Sequence, residues 1–115
     1  MKDKKGKPIL QGDIYWINFD PSVGSEIKKK RPAAVIQDHK VAGSSQTILV
    51  CPITSSSRVH PFDVSLKTSF LEKNSRARTI QVKTCDLSRF LDFIGHLDQR
   101  ILQRIFERIF ILLGF

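Results

Sequence analysis

Residues 12–38 read GDIYWINFDPSVGSEIKKKRPAAVIQD, and their pattern is strand, polar loop, strand. Residues 14–19 concentrate β-branched and aromatic side chains, which suit a pleated surface. Asp20-Pro21 stops the run, because proline offers no N–H to a ladder and biases the residue before it away from helix. Residues 22–30 show no apolar period but hold Gly24, Glu26 and the successive lysines Lys28, Lys29 and Lys30. Arg31-Pro32 opens a second apolar run at 33–36, within a strand expected over 31–38. One carboxylate and four adjacent cations, ending in an arginine at a strand mouth, have the charge to grip a phosphate.

Downstream, TILVCPIT at 47–54 is nearly continuous apolar sequence. It is short for a helix and contains Pro52, so it reads as a buried strand with a bend or bulge. Residues 61–66 and 78–85 alternate apolar and polar side chains, the signature of half-buried strands. In the second of these, Ile80 and Val82 share one face, and Gln81 and Lys83 the other. Ser55 begins a polar loop, residues 67–77 read as a charged connection, and 86–90 as a short helical turn capped by Asp86. Residues 92–96 add a short strand. The chain closes on a helix: Asp98 suits an N-cap, and Ile101, Leu102, Ile105, Phe106, Ile109, Leu112 and Leu113 keep helical spacing. Arg100, Arg104 and Arg108 fall on its opposite side, and Gly114 is a natural stop. The apolar arc is wide enough for two surfaces, a sheet and a second subunit. Residues 1–11, with four lysines and little to bury, read as a flexible basic tail, leaving 12–115 as one domain. Short strands with one terminal helix predict a mainly β fold, a compact, strongly bent antiparallel sheet or small barrel.

The chain has 115 residues, enough for one core, and a formal net charge of +8, which draws polyanions; nucleic acid is the commonest. Cys51 and Cys85 lack a CxxC partner and read as buried thiols of a reducing compartment. His39, His60 and His96 lack ligand spacing, so no metal or other cofactor is expected. No secretory leader pattern or membrane-length apolar run appears, and a cytoplasmic protein is expected.

The blocks GDIYWINFDPSVGSE, RPAAVIQ, PITSS, HPFDV, QVKT and a helix ending LLG stand in the order seen in the MazF/PemK family of bacterial toxin endoribonucleases, which the chain resembles from about residue 12 to 114. The resemblance implies an SH3-like barrel with appended helices, usually a homodimer, that cuts single-stranded RNA at short sequences without metal and is neutralised by a cognate antitoxin. It implies a catalytic pair of Arg31, in the RP motif, and Thr54, closing the PIT strand. Glu26 falls in the GSE motif of the loop, and Gln81 in the family's DQ-I-R block, with Lys83 where arginine is commoner. The aspartate usual before that glutamine is Ile80 here. Arg78 stands where a second catalytic arginine lies in the PemK branch, but Ser25 replaces that branch's loop histidine. Lys28, Lys29, Lys30, Ser55, Arg78, Gln81 and Lys83 are the expected RNA contacts.

Metal-free RNA cleavage requires attack of the 2′-hydroxyl on the adjacent phosphorus, leaving 2′,3′-cyclic phosphate and 5′-hydroxyl ends. A planar guanidinium suits the growing charge. It suits the base role poorly, since it keeps its proton to a pH of about 12. Glu26 is the carboxylate expected as base. Two other readings stand beside this one: a CcdB-like gyrase poison on the same barrel, acting by protein contact, and a degenerate member that binds RNA or antitoxin without cutting. A solvent-facing strand would present Gln81 and Lys83 in the same way. Trp16 and Tyr15 are adjacent, so at most one is free to stack on bases.

Overall fold

The computed structural model describes residues 1–21, 23–26, 29–41 and 46–115. Its strands are β1 (Asp13–Asn18), β2 (Lys30–Val35), β3 (Thr47–Thr54), β4 (Val64–Ser65), β5 (Arg76–Ala77), β6 (Lys83–Asp86) and β7 (Phe90–His96), followed by helix α1 (Gln99–Leu112). The strands form one antiparallel sheet in the order β4-β5-β3-β2-β1-β7, with β6 joined to β3. The fold is therefore mainly β with a carboxy-terminal helix, as expected. The expected small barrel is an open sheet, because among the described residues no ladder joins edge strand β7 back to β4.

Alternation sorts the apolar side chains onto two faces. Tyr15, Ile17, Ala33, Val35, Ile48 and Val50 enter one core with Ile9, Phe19, Cys85 and Phe90. Ile14, Ala34, Cys51 and Ile53 enter the other, against Val64, Leu66, Ala77, Leu97 and Ile105. A sheet buried on both sides must curl or be covered on each; here α1 covers the second face with Ile105, flanked by Ile101, Phe106 and Ile109. Asp98 caps that helix by accepting from the Ile101 N–H at 3.0 Å. Gly114 ends it at φ 86°, with the Phe115 N–H on the Phe110 carbonyl at 3.0 Å. No helix among the described residues is long and apolar enough to cross a membrane.

β3 is the hinge of the sheet. Its first half pairs with β6, through Val50 and Lys83. Its second half pairs with β5, through Ile53 and Thr54. The ladders part at Cys51 and Pro52, where the missing proline N–H makes a partner change cheap.

Several expected elements differ: β2 ends at Val35, not at residue 38, and the expected connection 67–77 closes with β5. Residues 61–66 supply only β4, because the Asp63 N–H closes a turn on the His60 carbonyl at 2.9 Å. Residues 78–85 split into a 3-10 turn, Thr79–Gln81, and β6, since Thr79 is buried with its hydroxyl on the Phe62 carbonyl at 2.8 Å. Ile80 is consequently 41% exposed rather than packed with Val82. Residues 1–11, expected as a flexible tail, are tethered. Ile9 is buried, Asp3 accepts from the Tyr15 hydroxyl at 2.8 Å, and Lys7 pairs with buried Asp13 at 2.7 Å. The run of lysines hides the residues that hold this segment down: Asp3, Ile9 and one of the lysines themselves, Lys7.

Asp63 fastens the loop after β3. Its carboxylate is 2% exposed and meets Arg78 Nε at 2.8 Å and Arg76 Nε at 3.1 Å. Arg76 also donates to the Ser56 carbonyl at 2.6 Å, and Arg78 to the Arg58 carbonyl at 2.6 Å. Burial alone would raise the Asp63 pKa, but hydrogen bonds from Arg78, the His60 N–H and Arg76 outweigh it and hold the carboxyl below the usual carboxylate range. A carboxyl depressed in the fold adds stability above its unfolded pKa of about 3.9. That contribution disappears as pH falls through the lower folded value. Asp63→Asn is expected to lose about 3–5 kcal/mol at neutral pH, since two arginines lose their partner charge. Thermal unfolding from neutral pH down to about pH 2 checks this: the parent should lose stability below the unfolded pKa, and the variant should lose less. Equal stability at neutral pH, or parallel acid profiles, would rule the clamp out.

Candidate active-site groove

The strand register determines which polar residues meet. β2 and β3 pair Val35 with Val50, Ala34 with Cys51 and Ala33 with Pro52. Beyond these pairs the strands carry Arg31 and Thr54, which take their own ladder partners from Ile17 and Arg76. Arg31 and Thr54 both line one groove of about 320 Å³. Its polar lining includes Lys30, Ser55 and Glu72, and its apolar walls are Trp16, Phe70, Leu71 and Ile94. The two expected catalytic residues, 23 positions apart in sequence, thus share one surface.

Thr54 is 7% exposed, and its hydroxyl oxygen accepts from the Ser56 N–H at 3.2 Å. That contact orients the side chain at the end of β3. Ser55 points its hydroxyl at Glu72, donating to Oε2 at 3.0 Å. Glu72 is itself held by a turn, since its carbonyl accepts from the Ser75 hydroxyl at 2.7 Å and the Ser75 N–H at 3.2 Å. A guanidinium, two hydroxyls, an ammonium and a carboxylate therefore converge between aromatic walls. Such a set can hold a phosphodiester, accept a proton and stack a base.

The other expected residues are placed elsewhere. Glu26 is not among the lining residues: its carboxylate accepts from the Val23 N–H at 3.1 Å and lies 3.7 Å from Lys83 Nζ. Gln81 joins that cluster by donating to the Ser25 carbonyl at 3.4 Å, and the Lys83 ammonium sits 5.7 Å from the Phe19 ring centre. Gln81 and Lys83 thus tie down the loop between β1 and β2, so they stand beside the groove and not in it. Arg78 is committed to Asp63, and its side chain is 13% exposed. Lys29 closes the base of the loop at φ 65°, its N–H on Asp20 at 2.7 Å and its carbonyl on the Phe19 N–H at 2.9 Å. Lys30 lines the groove; Lys28 lies outside the described residues.

The adjacent aromatics divide as strand geometry requires: Tyr15 is fully buried and Trp16 is 42% exposed on the groove. Phe70 and Glu72 escaped the sequence reading, because residues 67–77 have no period. The available signal was an aromatic and a carboxylate two positions apart in a turn-forming stretch. Among the described residues no three His, Cys, Asp or Glu side chains converge as metal ligands would. Burial, with a smaller push from the Asp63 charge, drives the Cys51 thiol up to about 12, far from a reactive thiolate.

The profile of the PemK-like, MazF-like toxins of type II toxin–antitoxin systems matches residues 10–113. Endoribonuclease EndoA of Bacillus subtilis is 30% identical over 103 residues, covering 86% of this chain and 89% of that protein. Endoribonuclease MazF9 of Mycobacterium tuberculosis is 29% identical over 107 residues, covering 86% and 91%. The crystal structure of MazF from Deinococcus radiodurans superposes with a TM-score of 0.81 at 25% identity, over 92% of this chain and 96% of that one. A MazE–MazF complex from the same organism superposes at 0.74, also at 25% identity, over 91% and 95%. Sequence and fold agree over nearly the whole chain, which belongs to the PemK-like, MazF-like toxin family of type II toxin–antitoxin systems.

Proposed function

We propose that this chain is an endoribonuclease toxin that cuts single-stranded RNA in the cytoplasm, and that an antitoxin neutralises it. The observation carrying the proposal is that Arg31 of β2 and Thr54 of β3 line one groove. The names of the similar proteins support the activity, and the MazE–MazF complex supports a protein inhibitor.

The chemistry follows from the groups present. Trp16 and Phe70 stack a base and Lys30 draws the backbone in. The substrate's own 2′-hydroxyl is the nucleophile, so no metal-activated water is needed. As its oxygen bonds to phosphorus, the proton passes to a carboxylate. Arg31 holds the growing charge on the non-bridging oxygens, and Thr54 positions one of them. The bond to the 5′-oxygen then breaks, leaving a 2′,3′-cyclic phosphate and a 5′-hydroxyl protonated from water. Sequence-specific cutting arises from the groove walls that face the base edges.

Geometry changes the choice of base. Glu26 is engaged with Lys83, whereas Glu72 lines the groove and is already hydrogen-bonded to Ser55. Glu72 is therefore the carboxylate we assign as proton acceptor. Ile80, in place of the family aspartate, is exposed and absent from the groove lining, which favours an active enzyme over a degenerate binder. A gyrase poison would need no such pairing of guanidinium and hydroxyl.

The carboxy-terminal end supplies a dimer surface. Phe110, Leu112, Leu113 and Phe115 are each 43–89% exposed, an apolar patch suited to a second copy.

Arg31→Ala and Thr54→Ala are expected to cut a long single-stranded RNA in EDTA about 10²–10³-fold more slowly, with little change in RNA affinity. Arg31→Lys should stay impaired, because an ammonium lacks the planar fork. Equal losses in binding and turnover would count against both roles, and gyrase inhibition without any RNA cutting would replace the proposal altogether. Glu72→Gln should slow cleavage about 10²-fold or more and remove the acidic limb of the kcat/KM profile, while Glu26→Gln keeps that limb. The reverse pattern would return the base to Glu26.

A further inference from the structure

The groove does not end at Glu72. Leu71 and Glu72 also line a second cleft of about 550 Å³, which carries Lys67 and Lys73. Its Ser65 opens a third, of about 480 Å³, where β4 faces Arg104 and Arg108 of α1. Arg104 and Glu107 continue into a fourth, of about 410 Å³, reaching Arg100. Shared lining residues thus link these clefts in series, a furrow leading from the Arg31–Thr54 groove, past β4, to the outer face of the helix. Its cations are Lys67, Lys73, Arg100, Arg104 and Arg108, all exposed; opposed to them are Glu72, Glu107 and Asp63, the last already matched by Arg76 and Arg78.

Resting on the RNA reading above, we propose that this furrow is a second, non-catalytic binding site for the phosphate backbone of the same RNA strand, beyond the cut. The arginines recur every fourth residue, so they stand about 6 Å apart along the helix axis. That is roughly one cation per two stacked nucleotides at about 3.4 Å each. The Arg108 guanidinium rests 5.8 Å from the Phe62 ring centre, which limits its freedom and leaves it facing the furrow. Continuity with the groove decides for the substrate over an acidic protein: a strand leaving the cut site meets these cations next, whereas a separate peptide has no need of that continuity.

The test uses the full chain and fluorescent random-sequence RNA pools, 2′-O-methylated so that they cannot be cut, in lengths of about 5 and about 15 nucleotides. The parent protein should bind the long pool about tenfold or more tightly. The triple variant Arg100→Gln, Arg104→Gln, Arg108→Gln should lose that length advantage, with its log Kd against log salt slope shallower by about 2, at roughly 0.7 per phosphate contact. Short-pool affinity and cleavage of short RNA should be unchanged. Circular dichroism checks folding, and Arg104→Gln alone should lower the slope by about 0.7. A length advantage that survives the triple variant overturns the furrow and leaves the ribonuclease reading intact. A parent protein that binds neither pool overturns both. Loss of poly-glutamate binding with long-RNA affinity intact would assign the face to an acidic protein and also overturn the proposal.

Discussion

The antiparallel register between β2 and β3 is the constraint on which the rest of this structure depends. Side chains in such a pair face each other in fixed order, and a slip of one residue would send Arg31 and Thr54 to opposite faces. Two apolar faces prevent the slip. Ala33, Val35 and Val50 are committed to one core, and Ala34, Cys51 and Ile53 to the other. A groove needing atomic placement is thereby held by ordinary hydrophobic burial, which is strong but non-directional. Ala33 and Ala34 are both fully buried, one on each face of β2.

A second layer of control comes from charge. Thr54 Oγ1 accepts from the Ser56 N–H, the Ser56 carbonyl accepts from Arg76, and Arg76 is anchored on buried Asp63. Three contacts therefore link a carboxylate with no place in the groove to the orientation of a hydroxyl inside it. Buried ion pairs are poor sources of net stability, because desolvation offsets attraction, but they are demanding about geometry. Here that demand falls on the loop carrying Ser55 and Ser56, which would otherwise follow no regular pattern.

These two layers differ in how far the sequence reveals them. Hydrophobic period made β1, β3 and α1 legible, since alternation and helical spacing are written in neighbouring residues. Arg31 and Thr54 were legible too, through the RP and PIT motifs. The Asp63 clamp was not, because its arginines lie 13 and 15 positions away and nothing local marks Arg76 as buried. Its alternating neighbours read instead as a strand with Gln81 and Lys83 facing a ligand. Glu26 was misplaced for a similar reason: the motif put a carboxylate in the loop, but whether it faces the groove or Lys83 depends on how the loop folds back. Phe70 and Glu72 reach the groove from an irregular stretch whose path is set by tertiary contacts alone.

Arg31 and Thr54, on this account, act on one phosphate as a unit, and a double-mutant cycle on kcat/KM for RNA cleavage measures that most directly. If they act together, the double alanine variant should be scarcely slower than the slower single variant, as for residues serving one transition state. Losses that multiply, so that the double variant shows the product of the two single effects, would mean the residues work independently and would contradict the account.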